Sequence, residues 1–246
     1  MNGIVCLCGW TARSSAYLQR LSLEGLRPDY VVMYGPVMPA PKVERSTPFT
    51  AEAGLYCPAV DIDLEAWLAD SGWPVIRVED KALDGAQLAE TLISLAPKLL
   101  IYSGYGGQIV PASLTSAYDV LHVHSGALPE YRGSTTLYYQ LLEEGSCVAT
   151  AILLDEQIDT GPVLYQKRFA MPPAGIDIDY LYDNAIRADV LCETLKRWQN
   201  GTLLPQVQSA ELPAYFIIHP LLKHLAILRV DLQAQTGGKG QESCDV

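Results

Sequence analysis

Two histidines and three acids stand at the ends of predicted strands, where their types and spacing suit acid–base chemistry. In the stretch LHVHSGALPEYRG, His122 and His124 lie two residues apart on a strand and therefore face the same side of its sheet. The later stretch LLDEQIDTG leaves another strand with Asp155, Glu156 and Asp159. A histidine beside a carboxylate acts as a positioned base whose tautomer the acid fixes.

The residues alone leave three interpretations of this group open. In the first, a histidine and Asp159 form a catalytic acid–base pair. In the second, His122, His124 and Asp159 supply three ligands of an open metal site. In the third, the same side chains only stabilise the end of a strand, because acid–base pairs mark functional sites statistically and not invariably.

The apolar pattern predicts the elements that must position these side chains. The strand–helix–strand order of the first 35 residues predicts a right-handed βαβ unit with parallel strands. Strands are predicted at 3–9, 29–35, 73–79, 98–104, 119–125, 147–156 and 163–171, and helices at 12–25, 61–71, 83–95, 133–144 and 177–200. The sequence therefore predicts an α/β fold with a doubly wound, largely parallel sheet.

In such a sheet, ligands bind beyond the carboxyl ends of the strands. Three loops are predicted at that edge: the glycine-rich turn at 104–107, the segment 124–133 and the acidic turn at 155–162. The proline-rich segment 36–58 has no periodicity and is predicted to be a loop that faces substrate or cofactor. A surface excursion is the alternative for that segment.

Composition argues against several classes of protein. The formal net charge of −11 argues against a nucleic-acid partner, because phosphate binding needs a basic patch. No apolar run reaches the ~20 residues of a membrane span, and the N-terminus lacks the pattern of a signal peptide. Because the six cysteines show no disulfide-scaffold spacing, we expect a reduced, cytoplasmic protein. Cys6 and Cys8 are expected to be buried thiols on one face of a strand.

The run from Leu99 to Gly161 resembles the formyltransferases that use 10-formyltetrahydrofolate, whose members act on methionyl-tRNA, glycinamide ribonucleotide or amino sugars. Their pattern is a strand ending Asn-x-His, then Leu-Pro-x-Tyr/Phe-Arg-Gly, and later an Asp-x-Gly turn. This chain has HVHSGALPEYRG and then DTG, with Asp159 35 residues after His124. YGGQIVPASL is similar to the family's pterin-holding segment, and PQVQSAELPAYF is similar to its Pro-Gln element.

The resemblance implies roles residue by residue. His124 and Asp159 match the catalytic histidine and aspartate. His122 stands where the family has an asparagine that donates a hydrogen bond to the formyl oxygen, and a histidine nitrogen can take over that donation. The implied reaction needs no metal, so none is expected.

The resemblance also implies a set of binding residues. The implied cofactor is 10-formyltetrahydrofolate, bound by Tyr105, Gly106, Ile109, Asp155 and Asp159. Tyr131 and Arg132 are expected either to contact the substrate or to anchor their loop, with a carboxylate as the expected anchor of Arg132.

We therefore predict a Rossmann-like formyltransferase domain at 1–204, a C-terminal extension at 205–232 and a disordered tail at 233–246. The apolar extension is expected to pack on the domain or on a partner, and a homodimer is favoured. By analogy, the implied acceptor is a small-molecule amine, namely an amino sugar or sugar nucleotide, since the charge argues against tRNA. The alternatives are a formyltetrahydrofolate hydrolase, a transferase of another one-carbon or carbamoyl group, and an inactive folate-binding scaffold.

Overall fold

The computed structural model describes residues 3–43, 55–208 and 212–237, with side chains through Gln233, and within these ranges a seven-stranded sheet carries helices on both faces. The strands are β1 (Ile4–Gly9), β2 (Tyr30–Tyr34), β3 (Val75–Val78), β4 (Leu99–Ser103), β5 (Val120–His124), β6 (Cys147–Leu153) and β7 (Val163–Phe169). The helices are α1 (Ala12–Leu23), α2 (Leu64–Asp70), α3 (Ala86–Leu95), α4 (Ala112–Thr115), α5 (Thr136–Glu143), α6 (Asp183–Gln199) and α7 (Pro220–Gly237).

The strand order is β3-β2-β1-β4-β5-β6-β7. From β3 to β5 all neighbours are parallel, whereas β6 is antiparallel to both β5 and β7. This order confirms the predicted α/β class and its doubly wound, largely parallel sheet. The chain reverses its direction of winding between β1 and β4, so the carboxyl ends of these two strands border the crevice where such sheets bind ligands.

Two apolar layers enclose the sheet, and the alternation of side chains along β1 separates them. Cys6 and Cys8 pack on the side of α1 and α6, whereas Val5 and Leu7 face the side of α3. Both cysteines are free and almost fully buried, which confirms the prediction for this strand. A hydrogen bond with Cys8, together with burial, raises the pKa of the Cys6 thiol, so this thiol is an uncharged core side chain.

Helix boundaries differ from the predicted ones where capping decides them. Asp63 accepts the backbone N–H groups of the first turn of α2, so this helix begins at Leu64 and not at Asp61. The helix predicted at 177–200 opens with a π-helical turn over Ile178–Tyr182 before α6 begins. The short helix α4 lies in a segment for which no element was predicted.

The described parts of the predicted loop 36–58 contain neither helix nor strand, and its central part lies outside the described residues. The C-terminal extension returns across the domain, where Tyr215 forms a bridge with Gly133 and α7 packs on α5. Because α7 continues to Gly237, the predicted disordered tail does not begin at 233; Gln, Ala and Gln follow there as good helix formers. The rest of the predicted tail lies outside the described residues. None of the described helices is both long and apolar enough to cross a membrane.

Candidate active site

The end of β5 brings His124 to the carboxyl edge of the sheet. In the pairing with β6, His124 stands opposite Thr150. The turn after β6 returns Asp159 to the same edge, where its Oδ2 lies 3.3 Å from Nδ1 of His124. His124 is 4% exposed and Asp159 is 9% exposed. The fold thus places in contact the two residues that match the family's catalytic histidine and aspartate.

The other ring nitrogen of His124 faces hydrogen-bond acceptors. Its Nε2 lies 2.6 Å from the carbonyl oxygen of Tyr131 and 3.1 Å from Oγ1 of Thr136. The Thr136 hydroxyl donates its own proton to the carbonyl oxygen of Ser125, so it accepts from the histidine. This network assigns one proton to Nε2. Nδ1 is the nitrogen that faces the Asp159 carboxylate.

The backbone and two neighbours fix the direction of the Asp159 carboxylate. Asp159 has a φ of 54°, in the left-handed region that only Gly, Asn and Asp adopt readily. Its Oδ2 also accepts the backbone N–H of Gly133 at 2.9 Å. The Gln208 side chain donates to the carbonyl oxygens of Asp159 and Gly161. The acid therefore points at His124 before any substrate enters.

Two glycines permit the close packing around this pair. A Cβ on Gly126 would lie 2.9 Å from Nε2 of His124 and 2.7 Å from the carbonyl oxygen of Tyr131. A Cβ on Gly161 would lie only 1.7 Å from the carbonyl oxygen of Leu153. Both distances are shorter than a side chain tolerates, so the glycines after the histidine and after the Asp-Thr pair are steric requirements of the site.

The loop that carries Tyr131 and Arg132 is anchored through both side chains. Buried Arg132 donates to the carbonyl oxygens of Leu212 and Ile158, each at 3.0 Å. The Tyr131 hydroxyl donates to Oε2 of Glu143 at 2.9 Å, and burial together with this bond raises the pKa of Tyr131. These contacts favour the anchoring role for both residues. The anchors of Arg132 that the structure shows are backbone carbonyls, where the sequence suggested a carboxylate.

His122 faces the same side of the sheet as His124 but lies in different surroundings. Its ring centroid is 6.1 Å from that of Tyr102, and its Nδ1 is buried without a hydrogen-bond partner. Burial and the positive charges of Arg13 and Arg187 lower the pKa of His122 well below its usual value, so the ring is neutral. Among the described residues, no group of three His, Cys, Asp or Glu side chains is placed to hold a metal ion.

Among the residues expected to bind the cofactor, Gly106 and Ile109 follow β4 at the carboxyl edge of the parallel strands. Asp155 follows β6, which is antiparallel to β5 and ends beside the start of β5, so the turn predicted at 155–162 leaves the sheet at the opposite edge from the one predicted. Gly106 has open space where a Cβ would stand, and Ile109 is 74% exposed. Asp155 is exposed, and its Oδ1 accepts from the Thr160 hydroxyl at 2.7 Å.

Tyr105, unlike the exposed residues among those predicted to bind the cofactor, is held in place by contacts with its own domain. Its hydroxyl donates to the carbonyl oxygen of Tyr34 at 3.1 Å and accepts the N–H of Trp10 at 3.3 Å. The Lys81 ammonium lies 4.2 Å from the centre of its ring. Tyr105 thus links the ends of β1, β2 and β4.

Comparison with known proteins decides the family. The formyl transferase family matches residues 58–188, which is more than half of the chain. The chain belongs to this family. The matched region contains β3 through the first turn of α6, and with them both members of the His124–Asp159 pair.

The curated proteins that match this chain include several named methionyl-tRNA formyltransferase. The one from Pelobacter propionicus is 34% identical over 139 residues, covering 54% of this chain and 42% of the relative. The one from Caldanaerobacter subterraneus subsp. tengcongensis is 30% identical over 134 residues, covering 52% and 43%. The chain thus spans less than half the length of these relatives.

Solved structures share the fold of this chain. A sugar N-formyltransferase from a Shewanella species has a TM-score of 0.55 at 15% identity, covering 92% of this chain and 87% of its own. HypX from Aquifex aeolicus has a TM-score of 0.57 at 15% identity, covering 99% of this chain and 37% of its own. At these identities the likeness shows the fold alone.

A pocket of about 330 Å³ opens at the ends of β1 and β2. Its wall combines apolar side chains with the start of α1 and three carboxylates; it is formed by Trp10–Ala12, Ser15, Val37–Pro41 and Val60–Glu65. Of this wall, only the 36–58 part was predicted from the sequence to face a ligand. The Gly-Trp step at the end of the first strand was the signal for the rest, because it lies where the winding of the sheet reverses.

Proposed function

We propose that this protein transfers a formyl group from 10-formyltetrahydrofolate to a small-molecule amine. The observation that carries the proposal is the buried His124–Asp159 pair in a chain of the formyl transferase family. A carboxylate that contacts one nitrogen of an imidazole fixes its orientation and stabilises the charge that it gains during proton transfer.

The transfer forms one C–N bond and breaks another. The amine nitrogen attacks the formyl carbon, the bond from that carbon to the donor nitrogen breaks, and one proton passes from the amine to the donor nitrogen. His124 and Asp159 hold and relay this proton. His122, which is neutral and has an unused Nδ1, supplies a hydrogen bond to the oxyanion that develops at the formyl oxygen.

The donor side fits a flat ligand with polar edges. The turn at Gly106 is open, Ile109 and Ile158 offer exposed apolar surface, and Asp155 adds a carboxylate at the rim. A mixture of apolar surface with a few polar groups is typical of small-molecule sites. Tyr105 supports this turn through its hydrogen bonds. These features support donor binding along 104–109 and 155–160.

The acceptor that we propose is an amino sugar or sugar nucleotide. The Shewanella structure named a sugar N-formyltransferase shares the fold over most of both chains, and the net charge of −11 disfavours the phosphate backbone of a tRNA. The curated relatives named methionyl-tRNA formyltransferase are covered over less than half of their length, so their names weigh less for the acceptor.

The test combines binding of a 10-formyltetrahydrofolate analogue, measured by calorimetry, with formyl release in the presence and absence of an amino-sugar panel. We expect analogue binding and amine-dependent turnover. Turnover without any amine would identify a hydrolase, and binding without turnover would identify a scaffold. No heat and no thermal shift at millimolar analogue would reject the folate assignment. An unreactive amino-sugar panel together with formylation of another amine would reject only the acceptor.

We further propose that the partner of the C-terminal extension is a second copy of the chain. Helix α7 carries four leucines that are 40–60% exposed: Leu221, Leu225, Leu228 and Leu232. Their spacing of four, three and four residues places them along one stripe of the helix, as in the contact seam of two paired helices. The opposite face of α7 packs on its own domain through Ala226 and Val230.

The exposed leucine seam matches itself under a twofold axis. With an antiparallel copy, Leu221 faces Leu232 and Leu225 faces Leu228, as an isologous interface requires. Together with the neighbouring Phe216 and Ile217, which are 87% and 75% exposed, the apolar area is on the order of 700 Å², near the ~800 Å² per partner of a stable interface. Asp231 is the acidic residue in the described part of α7. Its carboxylate accepts the N–H of Gly175 of its own domain, so it points away from the exposed leucines.

A further inference from the structure

Two arginines converge on the carboxyl ends of β4 and β5, beside the catalytic pair. Arg13, in the first turn of α1, donates to the carbonyl oxygen of Gly104 just past β4. Arg187, on α6, donates to the carbonyl oxygen of Val123 at 2.8 Å. Val123 immediately precedes His124, so this guanidinium lies one residue from the centre of the proposed chemistry.

The two arginines differ in their carboxylate partners. Asp183 accepts from Nε of Arg187 at 3.0 Å and from the Ser125 hydroxyl, and the charge of Asp159 also acts on Arg187. Arg13 has no carboxylate partner among the described residues, and its Nε is buried without any hydrogen bond. Burial and the repulsion of Arg187 lower the pKa of Arg13. A buried arginine normally has a counter-charge, so this arrangement is costly without a ligand.

A second unsatisfied group adjoins the arginines. Tyr17 lies one turn after Arg13 on α1 and is only 1% exposed, and its buried hydroxyl has no hydrogen-bond partner. The charges of both Arg13 and Arg187 act on this hydroxyl, and their field also reaches His122. Water can satisfy unpaired donors, but only an anion also gives Arg13 the counter-charge in contact that it lacks among the described residues.

We propose that Arg13 and Arg187, with the Tyr17 hydroxyl, form an anion subsite that receives a carboxylate or phosphate group of the acceptor close to its reacting amine. The inference rests on the proposed formyl transfer and narrows its acceptor to an amine that carries an anionic group. A guanidinium binds either anion through two parallel N–H donors. Such a contact would place the amine nitrogen beside His124 and the oxyanion donor His122, and so would supply orientation as well as affinity.

Anion binding is tested on the full chain with acetate and inorganic phosphate as probes, against chloride at equal ionic strength. We expect one or both probes to raise the melting temperature of the wild type beyond chloride. The probe that does so identifies the group as carboxylate or phosphate. Arg13→Met should abolish the shift, and Arg13→Lys should weaken the binding about tenfold because it keeps a charge and loses the fork. No probe-specific shift in the wild type, or an unchanged shift in Arg13→Met, overturns the subsite.

Arg20→Met is the matched control, because Arg20 lies two turns further along α1 and pairs with Glu24 and Asp189. This variant should melt below the wild type and keep the anion shift. Arg13→Met without ligand should melt no lower than the wild type, since it removes a buried charge that has no counter-ion. A loss of stability in Arg13→Met equal to that of Arg20→Met would show that Arg13 is structural.

The activity test compares paired acceptors with and without the anionic group, namely glycine with methylamine, and glucosamine 6-phosphate with glucosamine. The anionic member of at least one pair should have the higher kcat/KM, and Arg13→Met should erase that preference through KM. Equal kcat/KM within both pairs overturns the inference. Binding of the folate analogue is measured separately: its absence rejects the proposed function, whereas its presence without anion preference rejects only the subsite.

Discussion

Replacing Asp159 by Asn, Gly and Ala separates the chemistry of its carboxylate from its structural role. Asn keeps the shape, an oxygen for the Gly133 N–H and the tolerance of a φ of 54°, but loses the charge. Gly keeps only the tolerance of the positive φ, and Ala keeps none of the three properties. We expect all three variants to lower kcat/KM by at least ~10²-fold, which corresponds to about 2.7 kcal/mol of barrier, because each lacks the ionised acid that orients His124.

The stabilities of the same variants should differ from one another. Losing the hydrogen bond from Gly133 to a buried carboxylate removes about 1.5–3 kcal/mol from the free energy of unfolding. Placing Ala in the left-handed region removes about 1–2 kcal/mol more. The expected order of unfolding free energies is therefore wild type and Asn, then Gly, then Ala. Urea denaturation followed by tryptophan fluorescence measures it.

The comparison of rates with stabilities is the decisive result. Formyl transfer is measured as initial rates at saturating donor, at a temperature where every variant is folded. Rates that are equally low in all three variants, against ranked stabilities, support the acid–base role. Near-wild-type turnover in Asp159→Asn, or rates that follow the stability order, would refute the reasoning and make Asp159 a loop anchor.

The remaining predictions concern His124 and His122, the loop anchor Arg132 and the exposed leucines of α7. His124→Ala should lower turnover by at least ~10²-fold, since the proton relay loses its carrier; a smaller loss would contradict that role. His122→Asn should keep most activity, whereas His122→Ala should lose ~10²–10³-fold in kcat, and a chelator should leave the wild-type rate unchanged; inactivation by chelator would restore the metal interpretation. Arg132→Lys should lower both the melting temperature, by about 3–8 °C, and the activity, because an ammonium cannot bridge the Leu212 and Ile158 carbonyl oxygens; a change in substrate affinity alone would indicate substrate contact. Leu225→Glu should convert a dimer into a monomer of 26.9 kDa in light scattering at micromolar concentration, whereas Ile93→Glu on α3, which is 71% exposed, should remain dimeric; a monomeric wild type would remove the proposed interface.

The α/β class and the proposed catalytic residues are both readable in the sequence, because each depends on patterns that are local along the chain. Apolar runs of strand length alternate with helical periodicity, so β1, α1 and β2 are evident before any contact is known. The Leu-Pro-Glu-Tyr-Arg-Gly and Asp-Thr-Gly motifs identify His124 and Asp159 through the family resemblance. Strand order does not predict their contact, because β6 runs antiparallel to β5 and only the path of the loop after β6 brings Asp159 back to His124. Helix boundaries were less predictable, since side-chain caps such as Asp63 decide them.

The tertiary structure alone decided which side chains meet across long separations in the chain. Arg13 and Arg187 carry no motif, and they converge only because α1 and α6 pack on the same face of the sheet. Arg132 has carbonyl anchors that lie in a turn and in the C-terminal extension, which no local pattern connects to it. Sequence periodicity records which face of an element is buried, whereas the identity of the buried partner depends on how distant elements pack.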